Sequence, residues 1–396
     1  MDTLRLALDC CYAHQTGNQL ELAESIYFSI ISYFKENPGT RQLKYNVSPM
    51  KQEVEMFKNH LEISRILSKN GVVKPLSHLR DHSNDKEVMK KIFDAVTARA
   101  EGARPPLDQD GWRLVLRDVQ CLQNLVPVVE MTGVMLGYTE SLLSSGSHSN
   151  IELAGSVMEG LIDTGDSLQL VLTAWRHYYS TAASLSDPDI DLARKCLSLA
   201  PDGVRDIQDC YDLIAALQSL ADFGLSDLLP MTVLNCQDRM EFVRRAVQTK
   251  QNAYKNTQRL MKLASLLKVC QGESVEGVVW DTIARRALQV GDISASRTAC
   301  NNFILAGHTA GWDICYALAA RPDFGPDLER CRELLAFSAS HCDPENIGDV
   351  LQTILTVEQR SITKKIESKI VRDDTNGEAD NDEEEIFDDA VENAVD

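Results

Sequence analysis

Residues 300–342 hold Cys300, His308, Cys315, Cys331, His341 and Cys342. Thiols and imidazoles are the ligands of zinc and, in pairs, the parts of a cysteine nucleophile. Structural zinc takes four ligands in closely paired spacings, commonly two residues between cysteines. Here seven residues separate Cys300 from His308 and six separate His308 from Cys315. The chain contains no CxxC, and Cys331 belongs to a separate predicted helix. His341 and Cys342 are adjacent, and neighbours on a helix point in different directions. The spacing therefore predicts core and loop roles and no metal. Within GWDICYALA, residues Trp312, Cys315 and Ala319 recur at helical spacing. They read as a packing face whose small side chains let two helices approach, because cysteine behaves as a small, frequently buried hydrophobe.

The other reactive-looking groups read the same way. On a helix, Leu8, Cys11 and Tyr12 share one face and Cys10 points away from it. One helix ends before Pro75 and another begins there, and His78, Arg80 and His82, near a helix end and turn, read as solvated, with a metal site as the weaker alternative. Trp175, His177, Tyr178 and Tyr179 would suit base stacking only beside a basic stripe, which the chain lacks there, so packing with a partly exposed aromatic edge is expected. No GxSxG, GxGxxG or GxxxxGK(S/T) pattern occurs. The sequence accordingly assigns no catalytic, cofactor-binding or metal-binding residue and implies no cofactor. A Cys/His site assembled only in space stands as the enzymatic alternative.

The elements that carry these residues are helices. Segment follows segment of ten to twenty residues with apolar positions at the 3.6-residue period, joined by short Gly, Pro, Asn or Asp turns. Val54, Phe57, Leu61 and, further on, Ile66 and Leu67 form one such stripe after Ser48-Pro49, a capping pair. Val88, Ile92 and Val96, flanked by Met89 and Phe93, form another, capped at Asn84 and stopped at Gly102. Trp112, Val115 or Leu116, Val119 and Leu122 form a third. Strand-like alternation is nearly absent. Many short helices with short joins predict an all-α chain, an α-solenoid of stacked antiparallel helix pairs. The expected segment is 1–370, divisible into 1–146 and 150–370, followed by an acidic disordered tail at 371–396.

That tail dominates the charge. The formal net charge is −19, and Asp373–Asp396 holds twelve acidic residues and no Lys or Arg, which leaves the body near −7. A body so close to balance lacks the electropositive footprint of a nucleic-acid binder or a lipid-binding patch. Direct nucleic-acid binding is therefore not expected. The tail's apolar content looks too small to offset ordering, and the rival reading is a short acidic segment around Phe387 that docks on a basic partner. No apolar run reaches eighteen residues, so no transmembrane insertion is expected, and the cytoplasm is the expected compartment. Asn46-Val47-Ser48 fits the glycosylation tripeptide, a pattern without weight absent a secretory route.

Several blocks resemble a known family. HLEISRILSKNGVVKPLSHLR (60–80), DGWRLVLRDVQCLQ (110–123), YTESLLSSG (138–146) and DLARKCLSLA (191–200) are similar in order to segments of the neuroblastoma-amplified-sequence family. So are DLIAALQSLADFGLSDLLPMTV (212–233), LMKLASLLKV (260–269), GWDICYALA (311–319) and ELLAFSASHC (333–342). The resemblance covers about 60–350 and is to the family's central helical, secretory-pathway domain. It implies an α-solenoid in a tethering complex at the endoplasmic reticulum that captures COPI vesicles in Golgi-to-endoplasmic-reticulum retrograde transport. The partners it implies are other subunits of the tethering complex and SNARE proteins, with coatomer reached through the complex. It also implies peripheral association with the endoplasmic reticulum membrane and no catalytic residues. A link to nonsense-mediated mRNA decay makes a helical-repeat adaptor in another pathway the alternative. Family members carry a β-propeller before this domain and a helical continuation after it, so the chain reads as a segment of a longer protein, and its opening MDTLRLALDCCYAHQ as a helix cut from one.

Overall fold

The structure is a computed structural model that describes residues 2–13, 20–36, 47–161, 163–269, 274–321, 324 and 328–377. The described residues are helical throughout, and no strand occurs among them. The helices are α1 (Asp2–Ala13), α2 (Leu20–Glu36), α3 (Val47–Lys69), α4 (Leu76–His82), α5 (Lys86–Glu101), α6 (Gln109–Leu125) and α7 (Met131–Leu143). There follow α8 (His148–Leu161), α9 (Thr164–Thr181), α10 (Pro188–Leu197), α11 (Arg205–Asp222), α12 (Pro230–Asn235) and α13 (Met240–Thr249). The last are α14 (Thr257–Leu267), α15 (Val275–Gln289), α16 (Ile293–Leu305), α17 (Trp312–Ala319), α18 (Leu328–His341) and α19 (Ile347–Gly377). The acidic run beyond Gly377 lies outside the described residues. So does Asn46 of the glycosylation tripeptide.

Side-chain caps set many of the starts. Asp108, Asp163, Asp187, Ser274 and Asp292 each accept a backbone N–H from the first turn of the helix that follows. Such caps satisfy N–H groups that the helix itself leaves unpaired. The cap of α5 is Asp85, which accepts from Glu87 N and Val88 N, and not the neighbouring Asn84. Gly102 closes that helix as expected.

The helices fall into two compact units. The first contains α1–α10, α11 up to Ile214, and α12. Neighbours in sequence pack on each other in it: α2 on α3, α5 on α6, α7 on α8, and α9 on α10. Leu8, Cys11 and Tyr12 of α1 turn inward and Cys10 stays exposed, as their spacing requires. The stripes of α3, α5 and α6 are buried apart from the half-buried Val88, with Phe57, Leu67, Val96 and Val119 fully enclosed. Polar ties complete the packing. The Tyr138 hydroxyl of α7 donates to Trp112 O of α6 at 2.7 Å, and the two rings meet edge to face at 5.7 Å. Tyr178 of α9 donates to Leu143 O at 2.6 Å and accepts from Gly146 N at 3.0 Å, so it closes the turn between α7 and α8. Asp118 of α6 is buried beneath Lys69 and Asn70 at the end of α3, with Nζ at 2.7 Å and Nδ2 at 2.9 Å.

The second unit contains α11 from Ala215 onward and α13–α19. Here α13 packs on α14 and α15, α15 on α16 and α17, α17 on α18, and α18 on α19. The α15–α16 hairpin is a tight reversal: Asp292 caps α16 and accepts from the Tyr254 hydroxyl at 2.8 Å. Ser296 of α16 then donates back to Ala284 O of α15 at 3.1 Å. Stacked helix pairs, expected from the short turns, are the content of both units.

Candidate partner-binding surface

The cysteines and histidines that open the chemical reading lie along the seams of the second unit. Cys300 of α16, Cys315 of α17 and Cys331 of α18 are buried. The neighbouring Cys300 thiol, then burial, drives the Cys315 thiol far up. The Cys331 thiol points at Ala319 O, 3.9 Å away. His308 stands between α16 and α17, its ring edge-on to Phe303 at 6.1 Å. His341 is exposed at the end of α18, with Nδ1 2.9 Å from Phe337 O. Among the described residues, no three His, Cys, Asp or Glu side chains converge to hold a metal ion. Buried thiols held in their protonated form are poor nucleophiles and poor ligands.

Two glycines make these seams possible. A Cβ on Gly277 of α15 would meet His308 Cβ at 2.5 Å. A Cβ on Gly311, ahead of α17, would meet the Phe303 ring at 2.8 Å and Asp281 at 3.1 Å. Beside this contact Arg285 of α15 bonds Asp281 with Nε and Asp313 of α17 with both terminal nitrogens.

The remaining candidates are structural too. The helix expected to begin at Pro75 is α4, and it carries His78, Arg80 and His82 within it where a solvated turn was expected for them. Pro75 stands at its N-cap, where a missing N–H costs nothing, and Leu76 and Leu79 give it a buried face. Arg80 lies over the Tyr12 ring at 4.6 Å, and the rings of His78 and His82 stand 4.7 Å apart. Behind Arg80, the buried Tyr12 hydroxyl and His60 Nδ1 are 2.8 Å apart. Burial, then the nearby Arg80 charge, brings His60 down to about 4. Trp175, Tyr178 and Tyr179 are buried, and Trp175 stacks on Tyr179 at 5.0 Å. Of that group only His177 is exposed, so the expected aromatic edge is absent.

What faces outward is apolar helix surface, which the search for reactive groups does not find. In α2, Ala23 and Ile30 take the inner face. Leu22, Phe28 and Tyr33 remain exposed. A shallow groove there is lined by Glu21, Glu24, Ser25, Phe28, Ser29, Ser32, Tyr33 and Glu36. It joins aromatic contact area to carboxylates at its rim, the composition of a protein-binding patch. The sequence signal is present, since LELAESIYFSIISYFKE is apolar around more of its circumference than one core contact can bury. A second open apolar stripe lies on α19.

Two curated proteins are similar to the chain. The chain is 28% identical over 390 residues to the "NBAS subunit of NRZ tethering complex" of Homo sapiens, covering 93% of this chain and 16% of that protein. The relationship is distant homology, nearly end to end. A second relative, "MAG2-interacting protein 2" of Arabidopsis thaliana, is 26% identical over 309 residues, covering 76% of this chain and 13% of that protein. The chain thus spans less than a fifth of the length of these curated relatives. No family model matches it. Among the described residues, no helix is long and apolar enough to cross a membrane.

Proposed function

We propose that this chain is a non-enzymatic scaffold segment of a vesicle-tethering complex in Golgi-to-endoplasmic-reticulum retrograde transport. The observation that carries the reading is the likeness along 93% of the chain to a protein named as a tethering-complex subunit. A second relative named for a protein interaction supports it. The partners are other subunits of the complex and SNARE proteins, with coatomer reached through the complex. The site of action is the cytoplasmic face of the endoplasmic reticulum, with peripheral attachment.

A tether must hold partners at fixed separations. Stacked helix pairs do this without chemistry, because each pair is braced by its neighbours and presents exposed helix faces in a fixed order. The α2 groove fits a basic amphipathic helix of a tether subunit: Phe28 and Tyr33 anchor its apolar side, while Glu21 and Glu36 select its charge. The test is co-migration on gel filtration of the purified chain with recombinant tether subunits and SNARE N-terminal regions. A stable complex supports the reading, and separate elution of every component sinks it.

A further inference from the structure

Helix α19 packs on α18 through one face, where Val350, Val357 and Ser361 are buried. Arg332 of α18 braces that face, bonding Glu358 at 2.5 Å and the Ser361 hydroxyl at 3.0 Å. Another face carries Leu351, Leu355, Ile362 and Ile366, exposed by 50%, 57%, 57% and 54%. At about 100° per residue these four lie within an arc of roughly 60°, turned about 130° from the packed face. Single exposed aliphatic residues are ordinary on a protein surface, but four in line mark a contact site.

Their spacing selects the occupant. Leu351 and Leu355 are four residues apart, Ile362 and Ile366 are four apart, and seven separate Leu355 from Ile362. The pattern therefore reads the same in both directions about a centre between Glu358 and Gln359. An antiparallel second copy sets Leu351 against Ile366 and Leu355 against Ile362, and does so twice. A two-fold interface demands this property, a patch complementary to itself. The charges permit the same pairing. Gln352 and Gln359 border the stripe on its solvent side, and Glu358 on the other side is bonded to Arg332. Asp349 and Arg360 project at least about 100° away from the nearest of the four. Among the described residues of the stripe and its borders, two copies thus bring no unpaired like charges together. The α2 groove differs, since glutamates rim it and favour a basic partner.

The area suits a modest dimer. Each half-exposed Leu or Ile leaves about 100 Å² open, so the stripe with its borders offers about 500 Å² per copy and about 1,000 Å² between two, the lower bound of a specific interface.

We propose that this chain forms a two-fold dimer through α19, the two helices packed antiparallel on the Leu351–Leu355–Ile362–Ile366 stripe. Leu355 of each copy seats on Ile362 of the other near the axis, and Leu351 on Ile366 closes each end. The dimer carries two copies of every other surface of the chain, so a partner with two binding segments gains avidity.

Sedimentation velocity on the full chain across about 1–200 μM tests this, with a shift from monomer to dimer expected at about 10–100 μM. Leu355→Glu and Ile362→Lys each change an exposed side chain and leave the core intact. Either alone should weaken the dimer at least tenfold, because it buries an unpaired charge against an aliphatic residue. Combined in one chain, they set each Glu against a Lys of the other copy and should restore association to within about threefold of the native chain. A parallel pair would set Glu against Glu and stay apart. A chain that remains monomeric at the highest concentration overturns the proposal. So does a dimer that neither single substitution weakens, and so does a combined variant that stays monomeric. A monomeric chain that binds a tether subunit and loses it on Ile362→Lys overturns the dimer in favour of a foreign partner, and leaves the tethering reading standing.

Discussion

Arg285 grips Asp313 with two parallel bonds of 2.6 Å, Nη1 to Oδ2 and Nη2 to Oδ1. Its Nε meanwhile reaches both carboxylate oxygens of Asp281 on its own helix, at 3.0 and 2.9 Å. One guanidinium thus fixes the angle at which α17 leaves α15, beside the close contact at Gly311. Its charge is reinforced first by Asp313, so it stays protonated throughout the accessible pH range. The fork geometry matters more than the charge, since a partly exposed ion pair contributes about 1 kcal/mol or less.

Arg285→Ala should therefore cost about 1–2 kcal/mol, chiefly by leaving the largely buried Asp281 without its cation. Arg285→Lys keeps the charge and loses the fork, and should recover less than half of the loss. Urea midpoints of the two variants decide between fork and charge.

The seam glycines give opposite signs at matched chemistry. Gly311→Ala drives a methyl into the Phe303 ring, and Gly277→Ala drives one into His308. Each should destabilise by about 1–3 kcal/mol. Gly133→Ala in α7, where a Cβ meets nothing within 4 Å, should instead stabilise by about 0.5–1 kcal/mol. Thermal melts of the three variants make the comparison.

Acid should weaken the first unit through His60. Folded, the ring stays neutral down to about 4, whereas its ordinary value is 6.5. Above 6.5 both folded and unfolded chains hold it neutral and its environment costs nothing. As pH falls from 6.5 towards 4 the unfolded chain takes up the proton first, and stability drops by about 3 kcal/mol in total. Urea midpoints across this window, with His60→Asn flattening the slope, provide the check.

Thiol reactivity should sort by seam position. Cys10 and Cys121 are exposed and should react at once with an aromatic disulfide reagent. Cys300, Cys315 and Cys196, the last pushed up to about 12 by burial, should react at least a hundredfold more slowly until the protein unfolds. Stoichiometric zinc in the purified protein, read by elemental analysis, would contradict the account of these residues.

Periodicity made most of this legible. Leu8, Cys11 and Tyr12 could be placed inward and Cys10 outward because a helix repeats every 3.6 residues and α1 has one core face. Two helices carry little periodic signal, each for a physical reason. α7 contains Gly133 and Gly137 and buries residues around much of its circumference, so no polar face marks it. α12 has only six residues, too few for a period to show. The cap of α5 moved by one position because Asn84 and Asp85 are both competent caps, and only the fold selects between them. Pairings such as Arg285 with Asp313, 28 residues apart, leave no local signal. Nor does exposure: Phe28 and Ile362 look like core in sequence, and the folded chain leaves them outside.

The central proposal is that this chain binds partner helices on exposed faces of its stacked helix pairs. Its most direct test is a titration of the immobilised native chain with recombinant subunits of an endoplasmic reticulum tethering complex, repeated with Phe28→Ser and Tyr33→Ser together. The account predicts saturable one-to-one binding at about 1 μM or tighter, weakened at least tenfold by the double substitution without loss of folding. Absence of binding to every subunit by the folded native chain would contradict it.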